Sequence, residues 1–167
     1  MKRLIRHTED VFCMSKLSEK YVDMSVTGKV HGYIYFSECN DSHGPRIKFY
    51  GGNSKSKNTK DAPSMSFSTD GEPELVKSHS LNSKDYPYAF DNSVVSDVKN
   101  FIKRNRPLLL LVWFRRLDEA DLLEYFCGRL SFEDLLRCID CPDGEIQECD
   151  SMKSLHETCK LLGLYKF

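Results

Sequence analysis

The chain has 167 residues, of which 40% are apolar and 29% are charged, and its formal net charge is −1. This length suits one ordinary domain, and the composition excludes wholesale disorder. The longest apolar run, residues 108–114, is far shorter than the roughly 20 residues that cross a membrane. We therefore expect a single cytoplasmic domain over residues 1–167.

The seven cysteines are expected to be reduced thiols, because the sequence shows no export signal.

Charged residues are unevenly distributed along the chain. Residues 43–60 contain five Lys or Arg and no acid, residues 99–116 contain six and no acid, and residues 117–150 contain eleven Asp or Glu. Either the acidic helices neutralise the basic segments across solvent, or the basic segments bind an anionic partner.

The first elements in the chain are predicted as a short helix followed by strands. Residues 1–24 are weakly patterned and favour one short amphipathic helix that includes Leu17. Residues 25–80 then alternate in short runs, such as "YIYF", "RIKFY" and "SMSFS", separated by turn formers. This pattern predicts a small antiparallel sheet of about three to four strands with one face open to water.

The pattern becomes helical over residues 91–167. Asp118 and Ser131 are predicted N-caps, and Gly128 is a predicted helix end. Pro107 requires a kink or a helix restart, and residues 108–114 suit a helix better than a strand because their apolar stripe continues at helical spacing. The predicted fold class is α+β, with the C-terminal helices packed on one face of the sheet.

A basic strand is the first candidate site. Alternation places Arg46, Lys48 and Tyr50 on one side of the strand, about 7 Å apart from one to the next. The following 53–60 loop adds Lys55 and Lys57. Two cations beside an aromatic ring suit a nucleotide or an RNA backbone, although charges on an exposed strand also prevent edge pairing.

Residues of the same segment are also candidates for catalysis. A metal-independent ribonuclease needs a general base and a group that stabilises the phosphorane. His31 or His43 could act as the base, with Arg46 as the stabilising cation.

The segment "NDSHGPRIKF", residues 40–49, resembles the opening of a family of small bacterial domains of unknown function that occur in toxin–antitoxin-like gene pairs. Asn40, Asp41 and Pro45 match the family pattern, and "LLLLVWF" is similar in style to its later helix. The family has two strand histidines where this chain has Arg46 and Lys48, so no role of those histidines carries over. The resemblance implies an accessory protein of bacterial or phage mobile DNA.

The C-terminal cysteines form the second candidate site. "CIDC" and "HETC" supply four residues with the ligand types of a zinc site: Cys138, Cys141, His156 and Cys159. The alternative is that these thiols are small apolar residues of the core.

We expect from these observations a non-enzymatic interaction protein of a bacterial or phage mobile element. It would bind a macromolecular partner, most simply a protein, through the basic strand face and would need no cofactor. The alternatives are an RNA-binding protein or metal-independent ribonuclease that uses the same face, and a small zinc-stabilised module.

Overall fold

The computed structural model of the chain describes residues 14–18, 23–28, 33–37, 43–50, 63–76, 92–141 and 145–166. For residues 14–18 and a few further positions the backbone alone is described; these positions are Met24, Tyr33, Ser37, Tyr50 and Glu145. Among the helices within these ranges, none combines the length and the apolar character that crossing a membrane requires.

Within the described residues, the sheet has five antiparallel strands, and their spatial order is that of the sequence. The strands are β1 (Met14–Ser18), β2 (Tyr33–Ser37), β3 (Arg46–Tyr50), β4 (Ser64–Ser66) and β5 (Glu74–Val76). The last four lie within the predicted region 25–80 and match the predicted meander. The helix predicted for residues 1–24 is wrong where the structure describes it, because Met14–Ser18 pairs with Tyr33–Ser37 as a strand.

The described residues also form five α-helices. They are α1 (Met24–Thr27), α2 (Asn92–Trp113), α3 (Glu119–Phe126), α4 (Phe132–Cys138) and α5 (Met152–Leu161), with a short 3₁₀ helix, Glu145–Glu148, before α5. The small antiparallel sheet and the C-terminal helices together confirm the predicted α+β fold class.

Apolar alternation builds the core between the sheet and the helices. Ile34 lies opposite Phe49, and Ile47 lies opposite Met65, and all four are fully buried. Phe126 of α3 connects this layer to the helices through edge-to-face ring contacts with Phe36 and Phe101. A one-residue shift of register would expose this apolar row, so burial fixes the pairing.

The longest helix, α2, continues through Pro107, so the chain neither stops nor restarts there. Proline cannot donate a backbone hydrogen bond to the carbonyl of residue 103, which normally costs about 3 kcal/mol inside a helix. Residues 108–113 are all buried, and this burial outweighs the lost hydrogen bond. The preference for a helix over residues 108–114 is confirmed as far as Trp113.

The predicted helix ends in the second half of the chain are also confirmed. The Asp118 carboxylate accepts from the amide of Ala120 at 2.7 Å, and the Ser131 hydroxyl accepts from the amide of Asp134 at 3.1 Å. Gly128 follows α3 with a φ of 70°, a left-handed conformation that glycine adopts without steric cost.

Candidate functional site

The basic strand face lies on the side of the sheet opposite the core. In the register, Arg46 pairs with Ser66 of β4, and Lys48 pairs with Ser64. Tyr50, the last residue of β3, is opposite Tyr33, the first residue of β2. Arg46 and Lys48 therefore share a side of β3, as the alternation predicts.

This face is not open to water at its centre. Lys48 lies between Tyr35 on β2 and Ser64 on β4, and these neighbours are only 6% and 5% exposed. The alternation in "SMSFS" predicts that Ser64 faces water on the side opposite Met65, but the structure buries Ser64, so this prediction is wrong. Arg46 is half-buried, and burial lowers the pKa of its guanidinium from its ordinary value. A large partner has less access to this row than the alternation implies.

His43 is the one predicted candidate for the catalytic base in this region that the structure describes. His43 lies beside Trp113, with ring centroids 5.7 Å apart, and its Nδ1 is 3.0 Å from the carbonyl oxygen of Gly44. His31, Lys55 and Lys57 lie outside the described residues.

The four residues of the predicted zinc site are placed in different surroundings. Cys138 is exposed at the end of α4 near Asp121, whereas Cys159 is fully buried in the core. His156 lies against Tyr165, and Cys141 is half-buried. Within the described part of the chain, no three His, Cys, Asp or Glu side chains are arranged to hold a metal ion.

The thiols of Cys138 and Cys159 both have raised pKa values, although Cys138 is exposed and Cys159 is buried. Burial raises the pKa of the Cys159 thiol to about 12, and a hydrogen bond with Tyr165 opposes part of that shift. Burial and then the nearby Asp121 carboxylate raise the pKa of Cys138. Both thiols are therefore protonated at neutral pH, the form that is a poor nucleophile and a poor metal ligand.

A groove that the sequence did not single out lies between α2, α5 and the turn that joins β4 to β5. It is a cavity of about 490 Å³, which we call the α2/α5 groove. Its charged lining consists of Asp70, Glu72, Lys103, Arg104, Arg106 and Lys153. Four cations thus face two carboxylates, and the lining has an excess of positive charge.

Helix α2 supplies three of these cations and fixes their positions. Lys103 contacts Glu72 at 2.7 Å between Nζ and Oε1. Arg104 donates to the carbonyl of Ser25 at 3.3 Å, and Arg106 donates to the carbonyls of Thr69 and Gly71. The two arginines are therefore anchored by backbone oxygens, and neither forms a close ion pair within the described residues. The charge of Arg106 still acts on the Glu72 carboxylate.

Helix α5 forms the opposite wall. The amino group of Lys153 has no ion pair within the described ranges, and its side chain is exposed. His156 is largely buried between two partners: its Nδ1 is 3.0 Å from the Tyr165 hydroxyl, and its Nε2 is 3.6 Å from an Asp70 carboxylate oxygen. The buried Tyr165 hydroxyl thus holds the imidazole beside the turn that joins β4 to β5.

Part of this site was visible in the sequence. The run of six cations over residues 99–116 was noted, and Lys99, Lys103 and Arg106 follow the spacing of one helix face. The signal was incomplete because the wall from α5 and the two carboxylates of the turn come from distant positions. Only the tertiary packing brings them to the same cavity.

Comparison with known proteins gives no relative from which a function could be transferred. No protein-family model matches the chain, and neither a curated protein nor a solved structure matches it. The functional argument therefore depends on the groove itself.

Proposed function

We propose that this protein is a non-enzymatic interaction protein that binds an acidic segment of a protein partner in the α2/α5 groove. The observation that carries the proposal is the convergence of Lys103, Arg104, Arg106 and Lys153 on one cavity of about 490 Å³. Cations that line a concave surface focus the local potential and attract groups of opposite charge.

The four cations differ in the contacts that they make, and these differences support a ligand that carries carboxylates. Only Lys103 among the four contacts a carboxylate in the part of the chain the structure describes. Lys153 is exposed, so it can reorient toward a ligand at little cost. Arg104 and Arg106 are held by backbone oxygens, and arginine retains further N–H donors that match a carboxylate.

A protein partner is favoured over RNA by the chemistry of the lining. Proteins that bind single-stranded RNA combine cations with aromatic rings on which the bases stack. No Phe, Tyr or Trp is found among the groove-lining residues that the structure describes. On the sheet, Tyr35 lies opposite Lys48 but is only 6% exposed, which leaves little ring surface for a base.

The RNA-binding alternative retains one supporting observation. Arg46 and Lys48 share one side of β3, next to the register position where Tyr50 meets Tyr33. We infer that, if RNA binds, it does so at this end of the sheet. The origin in a bacterial or phage mobile element is proposed on the resemblance of residues 40–49 and of the "LLLLVWF" segment.

The experiment measures binding of poly-L-glutamate and of a homopolymeric RNA to the full chain by fluorescence anisotropy. We expect poly-L-glutamate to bind at low ionic strength and Lys153→Glu to weaken it about three- to tenfold, from loss and reversal of one charge contact. Arg129→Glu is the matched control, because Arg129 is exposed and does not line the groove.

If Lys153→Glu and Arg129→Glu weaken the binding of poly-L-glutamate equally, the groove is not the binding site. Tight RNA binding that falls steeply with salt, together with no affinity for poly-L-glutamate, would replace this proposal with the nucleic-acid alternative.

A further inference from the structure

Both carboxylates that line the α2/α5 groove belong to one short segment. Asp70 and Glu72 lie two residues apart in residues 69–72, which we call the acidic turn, within the connection from β4 to β5. The acidic turn therefore presents to the groove the kind of ligand that the groove is proposed to bind.

Glu72 is the more closely held of the two. Its carboxylate is 2.7 Å from the Lys103 amino group. The hydrogen bond from Lys103 lowers the pKa of Glu72, and the charges of Lys103, Lys99 and Arg106 lower it further. Three cations of α2 thus act on one carboxylate.

Asp70 makes the corresponding contact with α5. Its carboxylate is 3.3 Å from the Lys160 amino group and 3.6 Å from Nε2 of His156. The hydrogen bond from Lys160 is the main reason that the pKa of Asp70 is lowered. The acidic turn consequently contacts both walls of the groove at once.

These carboxylate contacts are weak compared with the contacts that hold the backbone of the turn. The side chains of Asp70 and Glu72 are 68% and 66% exposed, and exposed ion pairs add little stability. The backbone is held separately by Arg106, which donates to the carbonyls of residues 69 and 71, and by the pairing of Ser66 with Glu74. The carboxylates can therefore leave the cations while the turn keeps its place.

We propose that the acidic turn is an intramolecular competitor for the groove, and that the external ligand is an acidic peptide segment of the form Asp-x-Glu that takes over its cations. This inference rests on the proposed function. The bend at Gly71, whose φ is 92°, lets Glu72 contact α2 while Asp70 contacts α5. A peptide with the same Asp-Gly-Glu sequence can adopt the same bend.

The test uses a labelled synthetic peptide, STDGEPE, which has the sequence of residues 68–74. The peptide is titrated into the full chain and into the double variant Asp70→Asn/Glu72→Gln. Because the variant lacks the internal competitor, we expect it to bind the peptide about two- to fivefold more tightly, the effect of removing two exposed ion pairs. The neutralised peptide STNGQPE should bind both proteins more weakly than STDGEPE.

Glu74→Gln is the matched control. Glu74 is an exposed acid of the same hairpin that does not line the groove, so its substitution should leave peptide affinity unchanged. Thermal unfolding monitored by circular dichroism confirms that each variant is folded, and the single variant Glu72→Gln is used if the double variant is not. If Asp70→Asn/Glu72→Gln binds the peptide no more tightly than the unmodified chain does, the acidic turn is not a competitor for the groove.

The two proposals fail in different ways. If the peptide binds and Lys153→Glu weakens it, but neutralising the turn does not tighten it, the groove remains a binding site and the competitor is wrong. If neither the peptide nor poly-L-glutamate binds any of these proteins, both proposals are refuted.

Discussion

Phe126 is the residue whose truncation tests the packing of the whole core. It is fully buried on α3, with ring centroids 6.4 Å from Phe36 of β2 and 5.7 Å from Phe101 of α2. Its carbonyl also accepts from the amide of Asp23 at 2.6 Å. One side chain therefore connects the sheet to two helices.

We expect Phe126→Ala to lower the free energy of unfolding by about 4 kcal/mol. Truncation of a buried phenylalanine typically costs about 3 to 5 kcal/mol, and the two edge-to-face ring pairs favour the upper half of that range. With a urea m-value of about 2 kcal/mol per molar, the denaturation midpoint should fall by about 2 M. Phe126→Leu, which keeps most of the volume but loses the ring pairs, should cost about 1 to 2 kcal/mol.

The assay is urea denaturation followed by circular dichroism and tryptophan fluorescence. Phe132→Ala is the matched control, because this ring is half-buried and its described ring contact is with Tyr125 at 6.2 Å. A cost below about 1.5 kcal/mol for Phe126→Ala, or a cost equal to that of the control, would refute the assignment of Phe126 to the centre of the core.

Three further predictions concern a buried amide, the thiols and the acidic turn. Asn105 is fully buried; its Nδ2 donates to the carbonyl of Phe101 at 2.9 Å, but its Oδ1 has no hydrogen-bond partner among the described residues. Asn105→Leu removes this unsatisfied oxygen and should raise the free energy of unfolding by about 1 kcal/mol; a loss of stability in urea denaturation would contradict this. Native alkylation followed by mass spectrometry should label exposed Cys138 well before Cys159, whose pKa is about 12. The folded-state pKa of Glu72 is below the ordinary 4.5. Its contribution to stability is therefore present above pH 4.5 and is lost as the pH falls through the folded-state pKa. Glu72→Gln should make the free energy of unfolding less dependent on pH in acid, and identical pH profiles for the variant and the unmodified chain would exclude the Lys103 contact.

Local patterns predicted the fold well wherever one face of an element is buried. The alternation in "RIKFY" identified Ile47 and Phe49 as core residues, and both are fully buried. The caps at Asp118 and Ser131 were equally readable because a cap depends on residues only two or three positions apart. In contrast, Met14–Ser18 becomes a strand through its pairing with β2, a partner that local helix propensity does not register.

The candidate site was less predictable because it is assembled from distant segments. The sequence placed Arg46 and Lys48 on the same side of a strand, but it gave no measure of how far Tyr35 and Ser64 would be shielded from water. It likewise gave no sign that Lys153 would face Lys103 across a cavity, since fifty residues separate them. Proximity in sequence suggested the zinc ligands, whereas packing placed Cys138 and Cys159 in different environments.

Helix α2 has one side in the core and another side in the groove, and this division has an evolutionary consequence. Phe101, Ile102 and Leu109 are restrained by packing, whereas Lys103 and Arg104 are exposed on the surface. Exposed ion pairs such as that of Lys103 with Glu72 usually contribute less than about 1 kcal/mol to stability. The charges of the groove can therefore diverge between related chains at little cost to folding, so the binding preference of this scaffold can change faster than its architecture.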